Sequence, residues 1–183
     1  AEENYDCYGN CIAEVDCADE CGGSAIEDEC GVCGGDGPEE GFNCSGSPEL
    51  FNYNTSTLQA FYYFNSVTIN GEDVDSADWV GAFNGDVCVG TRKWDTSLCG
   101  SGVCDVPVMG QDGWEETGGY MLPGDFPTFK IYDFSENIYY DAIPSEDFQW
   151  ANSGFNSIDA LNGYVWGCTD MDACNYNADA TMD

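Results

Sequence analysis

The sequence predicts an all-β fold, an antiparallel β-sandwich over residues 49–166, flanked by an irregular disulfide-rich array over 1–48 and a short acidic repeat over 167–183. Three observations predict it. Short aromatic and β-branched runs separated by turn residues fill the middle of the chain, seven cysteines crowd residues 7 to 44, and no stretch keeps a helical period. With 183 residues, 43% hydrophobic and 14% aromatic, the middle segment has the apolar surface for a core.

The array has no such surface. Apolar residues are few and glycine is frequent, so cross-links and ions must hold it. CGG recurs at 21 and 33, and the DC at 16–17 is answered by DEC at 28–30, a repeat of about twelve residues. Within DECGVCGGDG, Cys30 and Cys33 have the spacing of half a zinc site, since two thiolates two residues apart can share a tetrahedral ion. Disulfides are the preferred reading, because twelve cysteines without one histidine fit an oxidising compartment. Asp28 and Asp36 stand where they can help to bind a cation. The array cysteines Cys7, Cys11, Cys17, Cys21, Cys30, Cys33 and Cys44 are odd in number, so one of them can await a partner elsewhere.

In the middle segment the strand candidates are LQAFYYFNSVTI, DWVGAF, VCVGT, DVPVMG, TFKIYD, IYYDA and FQW, spaced as in an antiparallel sandwich. Asn84, Gly85 and Asp86 form a tight hairpin turn between the second and third, because Asn-Gly supplies positive φ. Cys99 and Cys104 flank Gly-Ser-Gly-Val and close that loop on themselves. Cys88, alternating with Val87 and Val89, is a buried free thiol or a partner for another segment. Asp73, Asp75 and Asp78 are a weaker calcium cluster, with the capping of a strand edge as the alternative. Asn43 and Asn54 open Asn-x-Ser sequons near the junction of array and sandwich, and Ser or Thr sites can serve instead.

The tail GCTDMDACNYNADATMD returns to the acidic, cysteine-bearing style, with Cys168 and Cys174 as a pair. Asp170, Asp172, Asn175, Asn177, Asp179 and Asp183 place hard oxygens at near-alternating positions, the arrangement a loop needs to wrap Ca²⁺, though not in the order of an EF-hand.

Charge narrows the partners. Three Lys and Arg against 35 Asp and Glu give −32, which repels nucleic acid and anionic membranes and favours cations, calcium above all. No run reaches the roughly 18 apolar residues of a membrane span, and AEENYDC lacks the regions of a signal peptide. The expectation is an extracellular or cell-surface protein whose leader has been removed, or an internal piece of something longer.

The motifs DCYGNC, DCADECGGSA and DECGVCGGDG resemble the Cys/Gly repeats, loosely thrombospondin type 3-like, of very large secreted proteins of aquatic bacteria. GCTDMDACNYNADAT resembles the calcium-type repeat that accompanies them, and the middle, with DWVGAFNGDVCVG and DVPVMGQDG, is similar to the β-sandwich module between such repeats. The resemblance implies that the tail leads into a stretch like AEENYDC, as in one period of a tandem polymer or a subunit whose ends abut. Aspartates in this array do not alternate strictly, so particular calcium ligands do not carry over to it.

Three functions compete. The first is a structural module of a bacterial fibre or giant adhesin, stabilised by calcium and disulfides and assembling head to tail with copies of itself. The second is a calcium-dependent carbohydrate-binding module that stacks glycans on Tyr62, Tyr63, Trp94, Trp114, Tyr139, Tyr140 and Trp150, although sandwich packing accounts for about half of these. An enzyme ranks last. Without histidine the usual triads are excluded, and only Arg92, Lys93 and Lys130 are available to stabilise an oxyanion.

Overall fold

The computed structural model describes residues 4–168, Met171, Ala180 and Met182. The chain forms two compact units, Ala1–Ser47 and Pro48–Asp183.

Among its described residues the first unit, expected as an irregular array, has no helix or strand, yet its turns follow one pattern. One turn is built four times, on Asp6, Asp16, Asp28 and Asn43. In each, the side-chain Oδ1 accepts the backbone N–H groups two and four residues on: Tyr8 and Asn10, Ala18 and Glu20, Cys30 and Val32, Ser45 and Ser47. The residue's own N–H returns to the carbonyl four residues on, and the third residue, Gly9, Asp19, Gly31 or Gly46, takes positive φ. A short side-chain acceptor that mimics a backbone turn is why Asp and Asn hold these places.

The CGG motif follows from the same geometry. Gly22 and Gly34 have φ of +71° and +68°, and a Cβ on Gly23 or Gly35 would lie 2.0 or 2.1 Å from the carboxylate of Asp16 or Asp28. The first glycine supplies the backbone angle and the second makes room for the carboxylate. Disulfides Cys11–Cys21, Cys17–Cys33 and Cys30–Cys44 join successive turns. Cys30 and Cys33 therefore bond to different partners and form no thiolate pair. Large apolar side chains stay in solvent, with Tyr8 92% and Ile26 78% exposed and Ile12, Val15 and Val32 more than half so.

The second unit is mainly β. Its strands are β1 (Gln59–Ile69), β2 (Glu72–Asp73), β3 (Trp79–Asn84), β4 (Val87–Lys93), β5 (Cys104–Met109), β6 (Thr128–Asp133), β7 (Ile138–Pro144) and β8 (Phe155–Tyr164). They form one curled sheet in the order β2-β1-β8-β7-β6-β3-β4, with β5 also paired to β1. The pairing is mixed, not wholly antiparallel, because β8 runs parallel to β1.

Curling brings β4 against β5. A Cβ on Gly90 would stand 1.6 Å from the Pro107 carbonyl oxygen, so only glycine permits this approach. Arg92 of β4 reaches across, donating from Nε to the Asp105 carbonyl and pairing through Nη2 with its carboxylate at 2.9 Å.

Two strand expectations are corrected. FQW, residues 148–150, is loop, and Trp150 is instead a buried plug whose Nε1 donates to the Val108 carbonyl at 2.9 Å. The segment 155–164 is a strand of ten residues. Its Asn, Asp and Gly are poor strand formers, but its place between β1 and β7 overrides that preference. Tyr62, Phe64, Val106, Phe129, Ile131, Trp150 and Leu161 meet in the core. Outside it, Phe51 packs edge-on to Phe83 and Tyr139, at 5.8 and 5.4 Å between ring centroids.

Candidate functional site

Where β2, the 74–78 loop and the β6–β7 turn meet, a cleft of about 500 Å³ collects six carboxylates: Glu72, Asp73, Asp75, Asp78, Asp133 and Glu136. Neither Arg92, Lys93 nor Lys130 lines it. Asp78 is its anchor, only 4% exposed. One carboxylate oxygen accepts the Asp75 N–H at 2.7 Å and the other the Phe134 N–H at 2.9 Å, tying the loop to the turn. Burial raises its carboxyl pKa, the Asp133 and Asp75 charges raise it further, and the two N–H bonds oppose them. Asp133 accepts from the Ser135 and Glu136 N–H groups, and the Tyr140 hydroxyl donates to Glu136 at 2.7 Å.

The site places three of the sequence-predicted residues, Asp73, Asp75 and Asp78, on one cleft and adds three that sequence reading missed. Asp133 and Glu136 lie in the turn after TFKIYD, far along the chain, and only the fold brings them here. Hard oxygens suit Ca²⁺. Among the described residues, however, no three Asp, Glu or Cys side chains converge to metal-binding geometry.

No protein-family model, curated protein or solved structure matches this chain.

The remaining predicted positions divide by surroundings. Asp170, Asp172, Asn175, Asn177, Asp179, Asp183 and Cys174 lie outside the described residues. Asp28 spends its carboxylate on the backbone N–H groups of Cys30, Val32 and Gly37, which lower its pKa, Val32 most. Asp36 is exposed on the following loop. Asn43 is committed to its turn, with Nδ2 donating to Ser47 at 2.8 Å, whereas Asn54 is exposed and its Nδ2 reaches the Glu116 carbonyl at 3.4 Å.

Cys99 and Cys104 are bonded to each other. Cys7, expected in a bridge, is exposed and has no disulfide partner among the described residues; Cys168 likewise has none there. Cys88 is a buried free thiol, pushed up to about 11 by that burial. Of the aromatic platform candidates, Tyr62, Trp94, Tyr140 and Trp150 are buried, Tyr63 and Tyr139 half-buried, and Trp114 71% exposed. They form no common surface row. Phe61 and Phe155, absent from that set, do form one with Tyr63: the ring of Phe155 lies nearly parallel to both.

Proposed function

We propose that this chain is a structural module of an extracellular bacterial fibre or adhesin, joined head to tail with further copies of itself and stabilised by calcium and disulfides. The observation that carries the reading is the first unit: three disulfides order a segment with no core of its own, yet Tyr8, Ile12, Val15, Ile26 and Val32 stand in solvent. A rigid, cross-linked strip that displays large apolar side chains suits association with another protein surface. Four disulfides fit an oxidising environment, in keeping with life outside the cell.

In this reading the curled sheet is the sandwich module, and residues 167–183 are the calcium-type repeat. Calcium held by Asp73, Asp75 and Asp78, and by Asp170, Asp172, Asn175, Asn177, Asp179 and Asp183, would offset part of the −32 charge that otherwise keeps copies apart. Glycans on Asn54 or on neighbouring Ser and Thr would shield the coreless segment. The role is mechanical, not catalytic. A heterologous contact that does not close generates a filament.

Electron microscopy of the purified chain in calcium and in EDTA tests this, together with a variant in which Tyr8, Ile12 and Ile26 are serine. The expected result is filaments in calcium that dissolve in EDTA and fail to form in the variant. Monodisperse particles in calcium, or filaments indifferent to the triple substitution, would refute it.

A further inference from the structure

The outer face of β1 and its neighbours carries a feature that neither the core nor the acidic cleft uses. In β1, Ala60, Tyr62 and Phe64 point into the core, so Phe61 and Tyr63 point out. The parallel register sets Phe155 of β8 beside Phe61, while β5 brings Pro107 to Phe61 on the other flank and Asp105 to Tyr63. The Phe155 ring stacks on Phe61 at 5.5 Å and 23° and on Tyr63 at 6.5 Å and 18°. Phe155 is 71% exposed. The stacking withdraws only part of the Phe155 ring from water, so most of its surface stays open to a partner.

The row continues into polar groups. Ser157 lies opposite Tyr63, and one step further Asn65 donates from Nδ2 to Asp159 at 3.2 Å, with both residues exposed. Near-parallel rings bordered by hydroxyl, amide and carboxylate groups offer a C–H-bearing surface something to stack on and its hydroxyls acceptors at the rim.

Charge decides among occupants. Asp159 borders the rings, and Asp105 on the other flank is already paired with Arg92; on a chain of net charge −32 the face still disfavours nucleic acid, an anionic surface or the same face of a second copy. A neutral polyhydroxyl chain meets no such repulsion and can use the exposed Asp159 carboxylate. We propose that this face binds neutral polysaccharide, with pyranose rings stacked along Phe61, Phe155 and Tyr63 and hydroxyls directed to Ser157 and Asp159. The inference does not depend on polymerisation, because the face belongs to a single chain.

Affinity electrophoresis through gels containing hydroxyethylcellulose, xylan or galactomannan tests it on the full chain, on Phe155→Ala and on Trp114→Ala. Phe155 is mostly in solvent, so its truncation leaves the fold intact, which circular dichroism checks. At least one polysaccharide should retard the wild type and Trp114→Ala alike, and Phe155→Ala should bind it about tenfold more weakly, the upper end of one aromatic contact. Three outcomes overturn the proposal: no retardation of the wild type by any of the three, equal retardation of Phe155→Ala, or equal loss in Trp114→Ala. A change in sedimentation of Phe155→Ala without polysaccharide would reassign the face to contact between copies.

Discussion

The ring of Phe51 occupies the place where Gly81 of β3 would carry a side chain: a Cβ built there would lie 2.7 Å from the Phe51 Cδ1. Phe51 is fully buried although it stands outside the main core, and it covers the outer face of β3 at Gly81 and Phe83. Phe51→Ala should destabilise the unit by about 3–5 kcal/mol. Gly81→Ala should also destabilise, and the double variant should cost less than the sum, because the clash vanishes with the ring. Denaturant unfolding of the three variants checks this, and strict additivity would show that the two residues do not share space.

Thiol reactivity should separate Cys7 from Cys88. Cys7 is exposed, whereas Cys88 is buried with its thiol pushed up to about 11. Only the thiolate attacks. Maleimide labelling followed by peptide mapping should therefore mark Cys7 in the native protein and Cys88 only after unfolding.

Acid should loosen the turns of the first unit. Asp6, Asp16 and Asp28 all have lowered pKa values, through bonds from Asn10, Glu20 and Val32 foremost. A carboxyl whose folded pKa lies below its unfolded value gives stability that is full above the unfolded value, about 3.9, and lost as pH falls through the folded one. Protection of the Tyr8, Ala18 and Cys30 amides, taken relative to their intrinsic exchange rate at each pH, should thus fall below about pH 4 and stay flat above it. Asp112 follows the same sign, held low by the Thr57 N–H and the Thr117 hydroxyl.

Asp78 has the opposite sign. Its raised carboxyl contributes stability below the unfolded pKa that is lost as pH rises through the folded one, so at neutral pH its charge is a local cost. A divalent cation in the cleft should relieve it. Calcium should raise the melting temperature at pH 7, EDTA should reverse the rise, and Asp73→Asn with Asp75→Asn should reduce it. No change of melting temperature in calcium would leave the carboxylates as a solvated acidic face.

Replacing Gly90 by Ala should be more harmful than Gly81→Ala. The obstacle at Gly90 is the Pro107 backbone carbonyl, which has no rotamer with which to yield. Separation of β4 from β5 should also release Arg92 from Asp105, visible as faster amide exchange in both strands.

Runs such as QAFYYF and WVGAF announced their strands, because aromatic and β-branched residues suit a half-buried pleat. Gly85 likewise announced the two-residue turn Gly85-Asp86, but Asn84 ends β3 opposite Val87 and only Gly85 supplies the positive φ expected of the Asn-Gly pair. The β8 strand was hidden, since FNSIDALNGY draws its stability from neighbours 94 residues away along the chain, as Phe61 and Phe155 illustrate. The parallel return that stacks Phe155 on Phe61 has no local signature, so a platform sought among Tyr and Trp named residues that are mostly core. In the array the recurring DC and CGG were visible, but not their cause. That cause is a hydrogen-bond pattern centred on Asp16 and Asp28, and it extends to Asn43, where no CGG follows.

The three bridges of the first unit interlock: Cys17 lies inside the loop closed by Cys11 and Cys21, and Cys30 inside that closed by Cys17 and Cys33. Every peptide bond from Cys11 to Cys44 is therefore spanned by at least one sulfur link. A protease that cuts this strip once, anywhere along it, leaves two pieces that cannot drift apart. Even two cuts leave the ends joined, so parting them takes at least three cuts or reduction of the disulfides. A load carried along the chain would pass a nicked residue through the neighbouring cystine.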